Sequence, residues 1–211
     1  MYEMNIEEIC QLTPVMPVLV IDDIATAVPL AEALVADGLK TLEVTLRTPA
    51  ALGAIRAIAD AVPDAVVGVG TLRSADDVTA SVDAGARFGV SPGLSHAILD
   101  AAERASLPML PGVATPSEAI TAAERGLKLL KFFPAEANGG IPVLKAWASA
   151  LPDLTFCPTG GVTAENAPTY LALDNVTIVG GTWIAPPKLI QAREWAAIGE
   201  RARLACQFTA A

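Results

Sequence analysis

The chain has 211 residues, 53% of them apolar, which is enough for one sizeable core, so a single domain over 1–211 is the simplest organisation. Fourteen Lys and Arg against 23 Asp and Glu give a formal net charge of −9. A surface of that sign repels phosphate backbones and anionic lipids, so nucleic acid and membrane are not expected as partners. No apolar run reaches the ~18 residues of a membrane span. The acidic segment Met1-Tyr2-Glu3-Met4-Asn5 lacks the basic region of a secretory signal. Cys10, Cys157 and Cys206 are odd in number and far apart, which suits a reducing cytoplasm better than a disulfide framework or a metal cluster. The single histidine, His96, excludes a metal site rich in imidazole and reads as a surface residue.

In chain order, a helix is expected at Asn5–Leu12, then a strand at Met16–Ile21 and an alanine- and leucine-rich helix at Ile24–Asp37 stopped by Gly38. Leu39–Thr45 is the second strand, followed by a helix over Pro49–Val62 with Thr48 as its expected N-cap. Strand Val66–Gly70, helix Ser74–Ala84, strand Phe88–Ser91, helix Ser95–Ser106, strand Met109–Val113 and helix Pro116–Arg125 continue the alternation. Strand Leu127–Phe133, helix Ile141–Leu151, strand Thr155–Pro158, helix Ala164–Ala172, strand Thr177–Gly181 and a helix over about Leu189–Cys206 complete it. The strands begin 18 to 28 residues apart, room for a strand, a helix and two loops. Eight strands alternating with helices imply an α/β fold with an all-parallel sheet, and eight is the number that closes a (β/α)8 TIM barrel, here with an extra N-terminal helix. An open doubly wound sheet is the alternative.

A barrel gathers its chemistry where strands end. In Thr41-Leu42-Glu43-Val44-Thr45-Leu46-Arg47, alternation puts Leu42, Val44 and Leu46 on one face and Thr41, Glu43, Thr45 and Arg47 on the other. The apolar face suits the helical shell, so the polar face looks into the barrel. A solvated edge strand or a structural Glu43–Arg47 pair is the competing reading. Lys131 shares parity with Leu129 and Phe133, whereas Lys128 lies on the opposite face and snorkels to solvent. A lysine stem in hydrocarbon, with its amine cut off from water, disfavours the ammonium; the free amine that results attacks carbonyls to form Schiff bases. The plain alternative is an ordinary surface lysine. A buried carboxylate such as Glu43 would supply the proton shuttle that imine chemistry requires.

Thr159-Gly160-Gly161 and Gly180-Gly181-Thr182 fall after the seventh and eighth strands, the frequent phosphate site of this fold, where glycine backbones approach an anion closely. A single such pair more often marks a turn. Thr71, past Gly68-Val69-Gly70, is either a donor to a carboxylate or a neighbour of an N-cap. Pro92 and Phe133 are either an apolar wall or ordinary core. Trp147, Trp183 and Trp195 read as core or subunit-contact residues.

With these segments assembled, the chain resembles the 2-keto-3-deoxy-6-phosphogluconate (KDPG) aldolase family of class I aldolases. The similarity is densest in Thr41–Arg47, Leu110–Glu118, Lys131–Gly140 and Phe156–Val162, with Ser91–Gly93 and Gly180–Trp183 also fitting. The resemblance implies a cytoplasmic homotrimer that needs no cofactor or metal and acts on a phosphorylated keto acid. Lys131 would form the Schiff base and Glu43 would be the general acid/base. Arg47 and Thr71 would hold the pyruvate carboxylate, and Pro92 and Phe133 would line its pocket. Thr159, Gly160, Gly161, Gly181 and Thr182 would hold the rest of the substrate and its phosphate. One departure is visible: many relatives carry serine where this chain has Thr182, which keeps the hydroxyl and adds a methyl. Open alternatives are the C4 epimer (6-phosphogalactonate) or 4-hydroxy-2-oxoglutarate as substrate, a phosphate-binding isomerase or epimerase, and a catalytically silent barrel used for assembly.

Overall fold

The computed structural model describes residues 4–208. The two ends of the single domain expected over 1–211, Met1–Glu3 of the acidic amino-terminal segment included, therefore lie outside the described residues. Among the described residues nine strand segments build the barrel: β1 (Val15–Leu19), β2 (Thr41–Thr45), β3 (Val66–Gly70), β4 (Gly89–Val90), β5 (Met109–Leu110), β6 (Gly112–Val113), β7 (Leu129–Phe132), β8 (Thr155–Pro158) and β9 (Val179–Gly181). Every pairing is parallel, in the orders β5-β4-β3-β2-β1-β9 and β6-β7-β8. The two runs join into one ring. β5 and β6 are a single fifth strand interrupted at Pro111, and β8 meets β9 through parallel bridges Thr159–Gly180 and Phe156–Val176. The closed eight-strand barrel expected from the alternation is what forms, and the open sheet is not.

Among the described residues ten α-helices surround or plug it: α1 (Ile6–Cys10), α2 (Ala27–Ala36), α3 (Ala51–Ala61), α4 (Ala75–Asp83), α5 (His96–Arg104), α6 (Pro116–Glu124), α7 (Gly140–Ala150), α8 (Ala167–Leu171), α9 (Pro187–Gln191) and α10 (Trp195–Ala205). The sequence explains several of their starts. Asn5 with Glu8, Ser74 with Asp77 and Thr115 with Glu118 each form a reciprocal capping box at the head of α1, α4 and α6. The start of α3 corrects the sequence expectation. Ala50 is its N-cap, and the Thr48 hydroxyl donates to the Ile21 carbonyl instead, tying the β2 loop to the end of β1. The single C-terminal helix is likewise two, α9 and α10, parted at Arg193, whose φ of 55° is left-handed.

Alternation along each strand divides the core in two. Outward side chains such as Leu42, Val44, Val67, Leu130 and Phe132 pack under the helices. Inward side chains Met16, Val66, Phe88, Val90, Leu110, Leu129, Cys157 and Ile178 fill the lower lumen together with Ile6, Ile9 and Cys10 of α1. The Thr41 hydroxyl, at the start of β2, donates to the Ile9 carbonyl at 3.0 Å. α1 is thus a plug across the amino-terminal floor of the barrel. The upper lumen, toward the carboxyl ends, is left to polar side chains.

Candidate active site

β7 reads Leu129-Leu130-Lys131-Phe132. Phe132 faces out, where its ring meets Trp147 of α7 edge-on at 5.2 Å, and Trp147 in turn lies 5.4 Å from Phe156 of β8. Anchoring these aromatics outside forces Lys131 inside, because neighbours on a strand point to opposite faces. Lys131 is only 5% exposed, and Glu43 on β2 only 2%. Nζ of Lys131 lies 3.3 Å from Oε1 of Glu43 and 5.3 Å from the centroid of the Phe133 ring. Among the described residues this is the one ion pair with both side chains buried. Desolvating two charges costs several kcal/mol each unless they meet, so the pair is the condition for either to be there. Lys128 is exposed, as its parity requires.

The neighbouring strands make room. A Cβ at Gly70 would run into the Glu43 carboxylate, and one at Gly68 would strike the Phe88 ring. These two glycines of β3 open the lumen for one acid and one aromatic. Cys157, the register partner of Lys131 on β8, is fully enclosed. Burial pushes its thiol up to about 12, only partly opposed by the Lys131 charge and a hydrogen bond with Thr159. It stays protonated at neutral pH and offers no rival nucleophile.

The remaining candidates stand around the mouth. Thr159 is buried, with Oγ1 3.7 Å from Cys157 Sγ, and occupies the space that a side chain at Gly180 would need. Gly160 and Gly161 have φ of 96° and 81°, a region glycine enters without cost. A Cβ on Gly160 would crowd the half-buried Phe133 ring at 3.3 Å. Gly181 is buried beneath the Trp183 ring, and Thr182 beside it is exposed. Pro92 is exposed, and its carbonyl side sits where a Cβ of Gly112 would fall.

Arg47 is also exposed. β2 ends at Thr45, Leu46 N–H still donates to Gly70 O, and Arg47 N–H turns back onto Thr45 O. The alternation that put Arg47 on the inner face of a strand therefore stops two residues before it. Among the described residues Arg47 makes no ion pair with Glu43, which is engaged by Lys131. Thr71 lies three residues before Ser74, the N-cap of α4, and its φ of 65° is left-handed. For a β-branched residue that conformation is a genuine outlier, of a kind that clusters at ligand sites. Nothing in the local sequence signals it.

The structure thus brings Glu43, Lys131, Phe133, Thr159 and Gly160 into one contiguous set. Arg47, Thr71, Pro92, Gly161, Gly181 and Thr182 lie at the same carboxyl ends without a hydrogen bond to the buried pair. Among the described residues no group of three or more His, Cys, Asp or Glu is placed to hold a metal ion, and no helix is long and apolar enough to cross a membrane. A groove of about 440 Å3 lies elsewhere, lined by Asn5–Glu7, α5 and the Arg125–Leu127 turn, and contains none of these residues.

A parallel barrel with a buried lysine–carboxylate pair in its lumen and glycine loops at the seventh and eighth strand ends defines a class of α/β barrel that holds an amine and a carboxylate together at its carboxyl end. Comparison with known proteins narrows the class. The family described as KDPG and KHG aldolase matches residues 6–201, and the chain belongs to that family. A 2-dehydro-3-deoxy-phosphogluconate aldolase of Zymomonas mobilis is 50% identical over 187 residues, covering 86% of this chain and 87% of its own. The KHG/KDPG aldolase of Escherichia coli K12 is 44% identical over 206 residues, 98% of this chain and 97% of its own. In structure, a KDPG aldolase of Legionella pneumophila, with pyruvate captured as a covalent carbinolamine, superimposes with a TM-score of 0.95 at 41% identity, covering 98% of this chain and all of that one.

Proposed function

We propose that this chain is a class I aldolase that cleaves 2-dehydro-3-deoxy-6-phosphogluconate to pyruvate and glyceraldehyde 3-phosphate, and also accepts 4-hydroxy-2-oxoglutarate. The observation that carries this reading is the Lys131 amine, buried in the lumen 3.3 Å from the Glu43 carboxylate. The Lys131 ammonium gives a proton to the Glu43 carboxylate 3.3 Å away, the freed amine adds to the C2 ketone, and Glu43 returns that proton to the carbinolamine hydroxyl, so that water leaves and an iminium forms. Glu43, directly or through a water, takes the proton of the C4 hydroxyl as the C3–C4 bond breaks. The bonding pair flows into the iminium, leaving an enamine, and glyceraldehyde 3-phosphate departs. Protonation at C3 and hydrolysis release pyruvate and return the amine. General acid/base help of this kind is worth about 10²–10⁴ in rate.

In this reading Arg47 and Thr71 hold the pyruvate carboxylate, and Pro92 and Phe133 bound the methyl side. Thr159, Gly160, Gly161, Gly181 and Thr182 hold the remainder of the substrate and its phosphate, supplying binding energy away from the reacting bond. The relatives' names support the substrate, and the KHG/KDPG name of the E. coli relative supports the shorter one. The same reading makes the protein a cytoplasmic homotrimer that works without a cofactor.

The test is to incubate the protein with pyruvate and borohydride and map the mass adduct. A stable adduct on Lys131, absent in Lys131→Ala, is expected. A folded protein that gives none would sink the mechanism.

A further inference from the structure

We propose that Glu136 and Tyr170 form a latch that aims the Gly160–Gly161 amides at the substrate phosphate. They are positioning residues, and the proposal rests on the aldolase reading above. The β7 loop runs from Phe133 into a short 3-10 turn, Glu136–Asn138. There the Ala135 N–H donates to the Thr159 carbonyl at 2.8 Å and the Glu136 N–H to the Gly160 carbonyl at 3.0 Å. In a planar trans peptide the N–H points opposite to the C=O of the same unit. Pinning the Thr159 and Gly160 carbonyls toward the β7 loop therefore fixes the Gly160 and Gly161 N–H groups in the opposite direction. Those two consecutive amides, in glycines of positive φ, are the donors an anion would use.

The side chains lock this arrangement. Glu136 lies across Gly161, where a Cβ would collide with its Cβ and Cγ. Its Oε1 accepts a hydrogen bond from the Tyr170 hydroxyl. Tyr170 sits on α8, the helix that follows the glycine loop, and is fully buried. A phenol so enclosed needs a partner, and Glu136 supplies it. Gly140, at the start of α7, lacks a Cβ where one would press on both the Tyr170 hydroxyl and the Glu136 carboxylate. From the other side, Asn166 Nδ2 donates to the Gly161 carbonyl at 3.3 Å. The loop is held between the segment that follows Lys131 and the helix that follows itself, so the phosphate end of the site is referenced to the Schiff-base strand.

The latch touches neither the pyruvate end nor the reacting bond, and this sets the test. Steady-state kinetics are measured on the phosphorylated substrate and on unphosphorylated 4-hydroxy-2-oxoglutarate. Tyr170→Phe should raise KM for the phosphorylated substrate about tenfold, the loss typical of a hydrogen bond to a charged group, with kcat little changed. Its kcat/KM for 4-hydroxy-2-oxoglutarate should stay within about twofold. Glu136→Ala, which trims an exposed side chain, should behave like Tyr170→Phe, and Glu136→Gln, which keeps an acceptor for the phenol, should restore the parent KM. Equal losses on both substrates, losses on neither, or Glu136→Gln as impaired as Glu136→Ala would overturn the latch while pyruvate trapping by the parent protein stands. Parent protein that fails to trap pyruvate would overturn the aldolase reading and the latch with it.

Discussion

Glu43 and Lys131 hold each other in a place where neither could stay alone. Lys131→Met should abolish turnover and also destabilise the fold by about 3 kcal/mol, because Glu43 would remain buried without a partner. The double variant Glu43→Leu with Lys131→Met should recover most of that loss while remaining inactive; urea denaturation of the three proteins measures it. Glu43→Gln keeps a hydrogen-bonding group near the amine and should retain the fold while kcat falls by about 10²–10⁴. Thr71 calls for the opposite pattern. Its left-handed φ of 65° stores on the order of 1–3 kcal/mol, and glycine relieves it at some entropic cost. Thr71→Gly should therefore leave the melting temperature unchanged or raised while weakening the enzyme for keto acids of any length.

At the scale of elements, the sequence was most readable where local chemistry decides the outcome. Strands Val66–Gly70 and Thr155–Pro158 have the bounds their composition predicts, and Ser74 and Pro116 open helices as their types require. It was least readable where partners come from afar. Glu43 and Lys131 are 88 residues apart, so their pairing was inferred from strand parity and resemblance, and the Glu136–Tyr170 contact left no local trace. Parity itself misleads past a strand end, as Arg47 shows. Thr48 failed as a cap because a carbonyl from another loop competes for its hydroxyl. The glycines of β3 carry no sign of their purpose in the sequence; the Glu43 carboxylate and the Phe88 ring reveal them as spacers. Gly70→Ala should accordingly push Glu43 off its contact and cost activity far more than Gly→Ala does on an open strand, as kcat with pyruvate trapping will report. Thr41→Val should cost about 1 kcal/mol, since it removes the hydrogen bond that ties β2 to the Ile9 carbonyl of α1.

At the scale of the molecule, the three thiols report how closed the fold is. Cys10 and Cys157 are buried and Cys206 partly so, and burial raises all three above their ordinary range. The folded protein binds these protons more tightly than the unfolded chain does. Their contribution to stability is complete below the unfolded-state value near 9 and declines as pH rises toward about 12 for Cys157. Urea midpoints should fall between pH 8.5 and 10.5 for the parent, and less steeply for Cys157→Ala. The plug formed by α1 has a kinetic corollary for the proposed reaction. A cul-de-sac has one doorway, and the three-carbon fragment tethered to Lys131 sits deeper in it than its phosphorylated partner. The aldehyde has to clear the passage before water reaches the tethered fragment from the same side. Departure is therefore sequential, last in and first out, and an excess of aldehyde re-entering the passage will intercept the enamine and run the reaction backwards.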